Sequence, residues 1–186
     1  MVLEAQNRCQ LNWKPYPCWY YGDSKHNCRC TPLQIQNYRN KISGPLLDRI
    51  DIHIEVPSVR YQELASTGTG EPSAAIRERI LAARAAQQER FQPSLKSYGS
   101  AGKGRTKVRC NATMRTKELH KHCQLKPDAQ AQLKMAITEL NFSARAYDRI
   151  LKVSRTIADL VQSPAIETAH VSEAIQYRNL DRQFWI

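Results

Sequence analysis

The chain has 186 residues, of which 41% are hydrophobic and 24% are charged. This composition excludes an intrinsically disordered protein and matches ordinary globular domains, so one domain or two small ones can bury a core. The formal net charge is +11, and most of it comes from residues 77–122, which hold 12 Lys and Arg against 3 Asp and Glu. We therefore expect an anionic partner to meet that segment.

No stretch approaches the roughly 18 to 20 consecutive apolar residues that a membrane span requires, and residues 1–10 lack the pattern of a secretory signal. We therefore expect no membrane association and a cytoplasmic location. Six cysteines in such a chain are expected to be reduced thiols or metal ligands rather than a disulfide framework.

The first forty residues are predicted to be largely irregular, because Pro and Gly interrupt each apolar period. A short helix is predicted over 32–41, with Thr31 as N-cap and Pro32 at the first helical position. The clearest strand is predicted at 50–56, where apolar and polar residues alternate strictly. Residues 1–65 therefore have the character of an α/β fragment with few strands.

The second half of the chain is predicted to be helical. Residues 66–73 have the composition of a linker, and residues 92–109 that of a flexible loop rich in Ser, Gly and Lys. Apolar residues at helical spacing predict five helices, over about 73–91, 113–123, 127–140, 143–162 and from a cap at Thr168 onward. Residues 74–186 are thus predicted to form an all-α domain.

Three cysteines close together in sequence, Cys18, Cys28 and Cys30, have the composition of a metal site when His26 is added. Thiolate and imidazole are ligands that zinc prefers, and structural zinc takes four of them in a tetrahedron. The Cys-x-Cys spacing is tighter than is usual in such sites. Two interpretations stay open, a zinc site built from the three cysteines with His26 or Cys9 as the fourth ligand, and a group of reduced, unliganded thiols.

Four segments together carry a resemblance to a known family: Tyr20-Tyr21-Gly22-Asp23, Cys28-Arg29-Cys30-Thr31-Pro32, the run from Ile42 to Asp51, and the run from Ser143 to Val153. On these motifs the chain resembles the magnesium-chelatase-like AAA+ ATPases of bacteria, the YifB and ComM group, over roughly residues 17–182. The order of the motifs is that of the family's C-terminal third. The resemblance implies the trailing part of an AAA+ core over 1–65, with its sensor 1 region, Cys-rich loop and arginine-finger segment, and a helical lid over 74–186.

The resemblance also implies ATP and Mg²⁺ as cofactors, assembly into a ring, and ATP-driven remodelling of DNA in natural transformation. Arg49 matches the arginine finger that is offered to the neighbouring subunit's ATP, and Arg145 matches the sensor 2 arginine of the lid. A guanidinium placed at the γ-phosphate stabilises the charge on its oxygens in the transition state. From the residues alone, an ion pair of Arg49 with Asp48 or Asp51 is the alternative.

ATP hydrolysis needs a glycine-rich loop with Lys and Ser or Thr, and an acidic residue that holds Mg²⁺. The nearest match, residues 97–104, has Ser97 in place of the first Gly and Gly104 in place of Ser or Thr, and it follows no predicted strand. We therefore expect a truncated ATPase that is inactive alone and contributes Arg49 and Arg145 to full-length subunits or to copies of itself. A stand-alone basic nucleic-acid-binding module with a Cys-rich tip and an inactive remnant are the alternatives.

Overall fold

The computed structural model describes residues 2–5, 9–12, 17–18, 20, 27–41, 49–54, 70–96 and 108–178. The chain divides into two compact units, an N-terminal unit of Met1–Ala65 with Leu180–Ile186 and a helical unit of Ser66–Asn179. The described part is mostly helical and has few strands. None of its helices is both long enough and apolar enough to span a bilayer.

The N-terminal unit begins with a two-stranded antiparallel sheet of β1 (Val2–Ala5) and β2 (Cys9–Asn12). The register places Leu3 opposite Leu11. The prediction that the first forty residues are largely irregular is therefore wrong for these eight residues. Strands of four residues are too short for an alternating pattern to stand out, and pairing between the strands, which is not a local property, is what establishes them.

The predicted short helix is confirmed as α1 (Pro32–Arg39). Thr31 is its N-cap: the Thr31 hydroxyl accepts from the Gln34 amide at 3.3 Å, and the Gln34 side chain accepts from the Thr31 amide at 2.9 Å. This reciprocal capping box satisfies two amide groups that would otherwise lack a partner in the first turn. Pro32 at the first helical position needs no such partner.

The strand predicted at 50–56 is not formed over 50–54, and residues 55 and 56 lie outside the described part of the chain. Within this segment the apolar Ile52 and Ile54 are 46% and 68% exposed, whereas His53 is buried. Alternation in sequence specifies a strand only where a neighbouring strand pairs with it and a core covers its apolar face. The α/β character expected for residues 1–65 is thus not confirmed.

The described residues of the helical unit form five α-helices and one turn of 3₁₀ helix. The elements are α2 (Ser73–Lys96), the 3₁₀ turn (Asn111–Thr113), α3 (Thr116–His122), α4 (Pro127–Leu140), α5 (Ala144–Leu160) and α6 (Thr168–Gln176). The predicted all-α character is confirmed for these described residues. Helix α5 is central, since it contacts α2, the 3₁₀ turn, α3 and α6, while α6 also contacts α4.

Helix α2 continues to Lys96, five residues into the segment predicted to be a flexible loop. The rest of that segment, apart from 108 and 109, lies outside the described residues. Extending an existing helix gains one hydrogen bond for each residue fixed. Phe91, which is fully buried, holds the C-terminal half of α2 against the core, so the polar composition that follows does not end the helix there.

The core of the helical unit consists of side chains from every helix and from the loop before α6. Its most deeply buried apolar members are Phe91, Ala129, Leu133, Ile150, Ala158, Ile166 and Val171. Several of these were predicted from helical spacing, as on α4 and α5. The apolar residues at helical spacing on α5 and its C-cap also include Tyr147 and Val161, which are exposed by 39% and 61%.

Candidate functional sites: a thiol cluster and two arginines

Three thiols of the N-terminal unit come together although they are separated by up to twelve positions in sequence. Cys18 lies in a turn after Pro17, and Cys28 and Cys30 lie in the segment that leads into the N-cap of α1. The Sγ atoms of Cys18 and Cys28 are 3.2 Å apart, and the three Sγ atoms all lie within 4.8 Å of one another. All three side chains are half-buried.

The contacts within this thiol cluster shift the pKa values of Cys18 and Cys30 in opposite directions. Hydrogen bonds lower the pKa of Cys18 to about 7, first that donated by the Tyr20 amide and then that with the Cys28 thiol. The Cys30 thiol, hydrogen-bonded to Cys18 and partly desolvated, has its pKa raised to about 11. Cys18 therefore becomes a thiolate, the form that binds metals and attacks electrophiles, at a lower pH than Cys30.

The structure brings together three of the four predicted metal ligands. The fourth, His26, lies outside the described residues. Two further cysteines belong to the helical unit: Cys110 is half-buried and Cys123 is buried. Burial raises the pKa of Cys123 to about 11, as expected for a thiol with a packing role.

The two arginines predicted to contact nucleotide lie in different units. Arg49 is exposed in the N-terminal unit, immediately before the segment predicted as a strand. Arg145 is exposed in the first turn of α5. Ser143 caps that helix by accepting a hydrogen bond from the Ala146 amide at 3.1 Å, so the start of α5 is well defined. The loop 97–104, the nearest match to a phosphate loop, is outside the described residues.

The basic residues of α5, Arg145, Arg149, Lys152 and Arg155, follow one another at helical spacing, which predicts a basic stripe that is either solvated or paired with Asp148 and Asp159. This stripe does not remain on the surface along its whole length. Arg155 is 3% exposed. Its Nε donates to Asp159 Oδ1 at 3.0 Å, and its guanidinium also donates to the carbonyl oxygens of Ser163 and Pro164 at 2.6 and 2.9 Å. Pairing with Asp159 was one of the two options that the sequence left for this residue. The structure adds that the pair is buried.

The Asp159 carboxylate is the centre of a buried ionic network that sequence analysis did not find. Arg90 of α2 donates to both of its oxygens, and Asn111 Nδ2 donates to Oδ2 at 2.8 Å. Burial by itself raises the pKa of Asp159, but the hydrogen bonds from Arg90 and Asn111 and the charge of Arg155 outweigh it, so the pKa is lowered. No local pattern indicates these contacts, since Arg90 and Asp159 are 69 positions apart.

Family models identify both units. The model described as magnesium chelatase, subunit ChlI C-terminal, matches residues 70–178, which is more than half of the chain. The chain belongs to the magnesium chelatase ChlI family. A second model, magnesium chelatase, subunit ChlI, matches residues 2–64 of the N-terminal unit. The family match therefore begins about fifteen residues before the first motif that sequence analysis recognised, and it includes the hairpin β1–β2.

Curated relatives of this family member agree with the YifB and ComM resemblance. The competence protein ComM of Haemophilus influenzae is 42% identical over 169 residues, which are 90% of this chain and 30% of the relative. The uncharacterized protein YifB of Escherichia coli is 37% identical over the same shares. An uncharacterized protein of Mycobacterium tuberculosis is 30% identical over 173 residues, 92% of this chain and 31% of that protein. The chain thus spans about a third of the length of these relatives.

Proposed function

We propose that the chain acts as the C-terminal portion of a magnesium-chelatase-like AAA+ ATPase. In this proposal the N-terminal unit is the trailing part of the ATPase core and the helical unit is the lid over the nucleotide. The support is the order of the two family matches along the chain and the helix bundle of the second unit. ATP and Mg²⁺ are then cofactors of complete subunits, because the phosphate loop and the Mg²⁺-binding acid are absent from this sequence.

The observation that carries the proposal is the position of Arg145. It is exposed in the first turn of the capped helix α5. Backbone amides and the helix dipole make that end of a helix favourable for phosphate, and an arginine adds a charged donor with a planar fork that matches phosphate oxygens. This is the arrangement that a lid arginine needs in order to contact ATP bound to the core.

The buried ionic network around Asp159 fixes the helix that carries Arg145. Asp159 lies in the last turn of α5, fourteen positions after Arg145, which is about 21 Å along the helix. Arg90 and Asn111 tie that end of α5 to α2 and to the 3₁₀ turn. The rigid helix therefore transmits the position of the bundle to its exposed N-terminus, so Arg145 moves with the lid as one body.

Arg49 is proposed as the arginine finger, acting on ATP in the neighbouring subunit. Its exposure leaves the guanidinium accessible to a second chain. An arginine supplied in this way neutralises charge that develops on the γ-phosphate, and such groups contribute on the order of 10³-fold or more to hydrolysis rates. In a ring with full-length relatives, this chain would complete the site of one neighbour without hydrolysing ATP itself.

The test is ATP hydrolysis by the purified chain, alone and after mixing with full-length ComM. We expect no hydrolysis alone and a changed ComM rate on mixing. Arg49→Ala should abolish that change if Arg49 acts in trans. Hydrolysis by this chain alone would refute the truncated, inactive state, and an unchanged rate on mixing would refute the contribution in trans.

A second measurement tests the lid arginine. Arg145→Ala should weaken binding of a fluorescent ATP analogue by the mixed assembly, because one charged phosphate contact is lost. The matched control is Arg149→Ala, which removes the same charge one turn later on the same helix. Equal weakening by both variants would show a general effect of charge and would contradict a specific role for Arg145.

A second candidate function, binding of nucleic acid, is favoured by the distribution of charge. Exposed basic side chains are spread over the helical unit, at Arg77, Arg84, Arg109, Arg115, Lys117 and Lys121. Such a surface binds phosphates in a sequence-independent way, with an affinity that falls steeply as salt rises. The name of the ComM relative connects that protein with competence; a role in DNA remodelling is proposed for the complete assembly.

Fluorescence anisotropy with a labelled single-stranded nucleic acid, measured over a series of salt concentrations, distinguishes this candidate function from that of an ATPase portion. Binding with a steep salt slope, and no effect of the chain on ComM, would favour the nucleic-acid-binding module. Neither binding nor an effect on ComM would favour the inactive remnant.

A further inference from the structure

We propose that Cys18, Cys28 and Cys30 bind a single zinc ion as a structural site at the start of α1. The three residues converge from two separate segments, a turn at residues 17–18 and residues 27–30, which lead into the N-cap of α1. Their Sγ atoms lie within 4.8 Å of one another. This proposal goes beyond the proposed function and does not depend on it.

The distances fit a tetrahedral metal better than they fit a disulfide. With Zn–S bonds of about 2.3 Å, two sulfurs of a tetrahedron are about 3.8 Å apart. The Cys18–Cys28 separation of 3.2 Å and the limit of 4.8 Å for all three pairs bracket that value. A disulfide would require the sulfurs to approach to about 2.05 Å.

The local backbone holds two of the ligands in place. Cys30 immediately precedes Thr31, whose capping box and whose neighbour Pro32 fix the start of α1. Cys28 lies two positions earlier in the same segment, and its Sγ atom lies within 4.8 Å of that of Cys30. Pre-ordering of this kind lowers the entropy lost when the ion binds.

The donor set indicates which metal the site takes. Among the residues that the structure describes, the cluster offers three sulfurs and no carboxylate. Such a donor set disfavours the oxygen-seeking ions Mg²⁺ and Ca²⁺ and favours a borderline or soft ion, of which zinc has no redox chemistry to damage the thiols. Bound zinc would deprotonate all three thiols, since a coordinating thiol loses its proton outright. The charge of the ion would therefore replace the hydrogen bonds that now link the sulfurs.

The site would add stability to the part of the N-terminal unit that the structure describes. Of its described side chains only His53 is buried, so apolar burial there is small. Small units with little core commonly depend on a metal, whose binding free energy becomes folding free energy. Zinc would join residues 17–18 to the start of α1 by three covalent-like bonds.

The first test is the zinc content of the full chain, purified with a reductant and measured by plasma mass spectrometry. We expect about one zinc per chain. Cys18→Ser, Cys28→Ser and Cys30→Ser should each lose it, whereas the matched control Cys110→Ser, a half-buried cysteine of the helical unit, should keep it. Zinc content unchanged in the triple serine variant would overturn the assignment of the ligands.

A second test needs no variant and therefore does not depend on whether the variants fold. Zinc or cobalt is added to the reduced, metal-free chain, and alkylation of each cysteine is followed by peptide mass spectrometry. We expect protection of Cys18, Cys28 and Cys30 but not of Cys110, and with cobalt the charge-transfer absorption of thiolate ligands. Equal alkylation with and without metal, and no such absorption, would refute the site. Repeating the cobalt titration with His26→Gln shows whether that residue is the fourth ligand.

Discussion

The N-terminal unit and the helical unit differ in what their described side chains bury. In the helical unit, apolar residues from all five helices or their flanking loops are fully or nearly fully buried, and a carboxylate with two guanidinium partners is buried among them. In the N-terminal unit, Leu33 is 65% exposed and α1 depends on its capping box. Tertiary burial therefore stabilises one unit, whereas local hydrogen bonds hold the described part of the other.

The largest effect is expected at the centre of the helical unit. Asp159→Ala leaves Arg90 and Arg155 buried without their shared carboxylate, and removal of one partner of a buried ion pair costs about 3 to 5 kcal/mol. Urea unfolding followed by circular dichroism measures this loss. The control Glu167→Ala breaks an exposed pair with Lys126 and should lower the free energy of unfolding far less. Equal losses in the two variants would show that the network is not stabilising the bundle.

A matched pair of leucines compares the two units directly. Leu133→Ala, at a residue 1% exposed in α4, should cost about 2 to 5 kcal/mol, since it removes a buried side chain and leaves a cavity. Leu33→Ala, at a residue 65% exposed in α1, should change the free energy of unfolding by about 0.5 kcal/mol or less. A large effect of Leu33→Ala would mean that a partner or another part of the chain covers α1.

The helix caps provide a smaller and more local comparison. Ser143→Ala removes the cap of the central helix α5 and should lower the free energy of unfolding, measured in the main transition, by about 1 kcal/mol. Thr31→Ala removes the cap of α1, and it should raise amide hydrogen exchange in α1 while leaving the main transition unchanged. A shift of the main transition by Thr31→Ala would show that the two units unfold together.

The smallest expected effect is a pH dependence from His122, whose ring packs edge to face against Phe91 with centroids 5.5 Å apart. Burial first, and then the charges of Lys121 and Arg90, lower the pKa of His122. Below the ordinary value of about 6.5, the unfolded chain takes up a proton more readily than the folded one, so stability is lost as pH falls from there towards the folded pKa. His122→Phe should make the free energy of unfolding less dependent on pH over this range, whereas His120→Gln, at an exposed residue, should not. An unchanged slope in His122→Phe would contradict the assignment.

Much of the helical unit could be predicted from the sequence because its signals are local. Hydrogen bonds within a helix join residues four apart, so the spacing of apolar residues on α4 and α5 is sufficient to locate those helices. The cap predicted at Thr168 is wrong by one position, since Glu167 is the N-cap of α6. The strand predicted at 50–56 is wrong over the described residues 50–54 because it, too, was predicted from a local signal. Its alternating pattern is local, but a strand also needs a partner, and no pattern within those residues states whether one is present.

By itself, then, the sequence determined the helices of the second unit, the cap of α1 and the family. The motifs and the family models agree on that family. Only the tertiary structure decided that Arg155 is buried with Asp159 and Arg90, and that three cysteines from two segments converge on one point. The reason is physical. Contacts between distant positions depend on how whole elements pack, and packing is settled by the combined burial of many side chains rather than by the residues that finally touch.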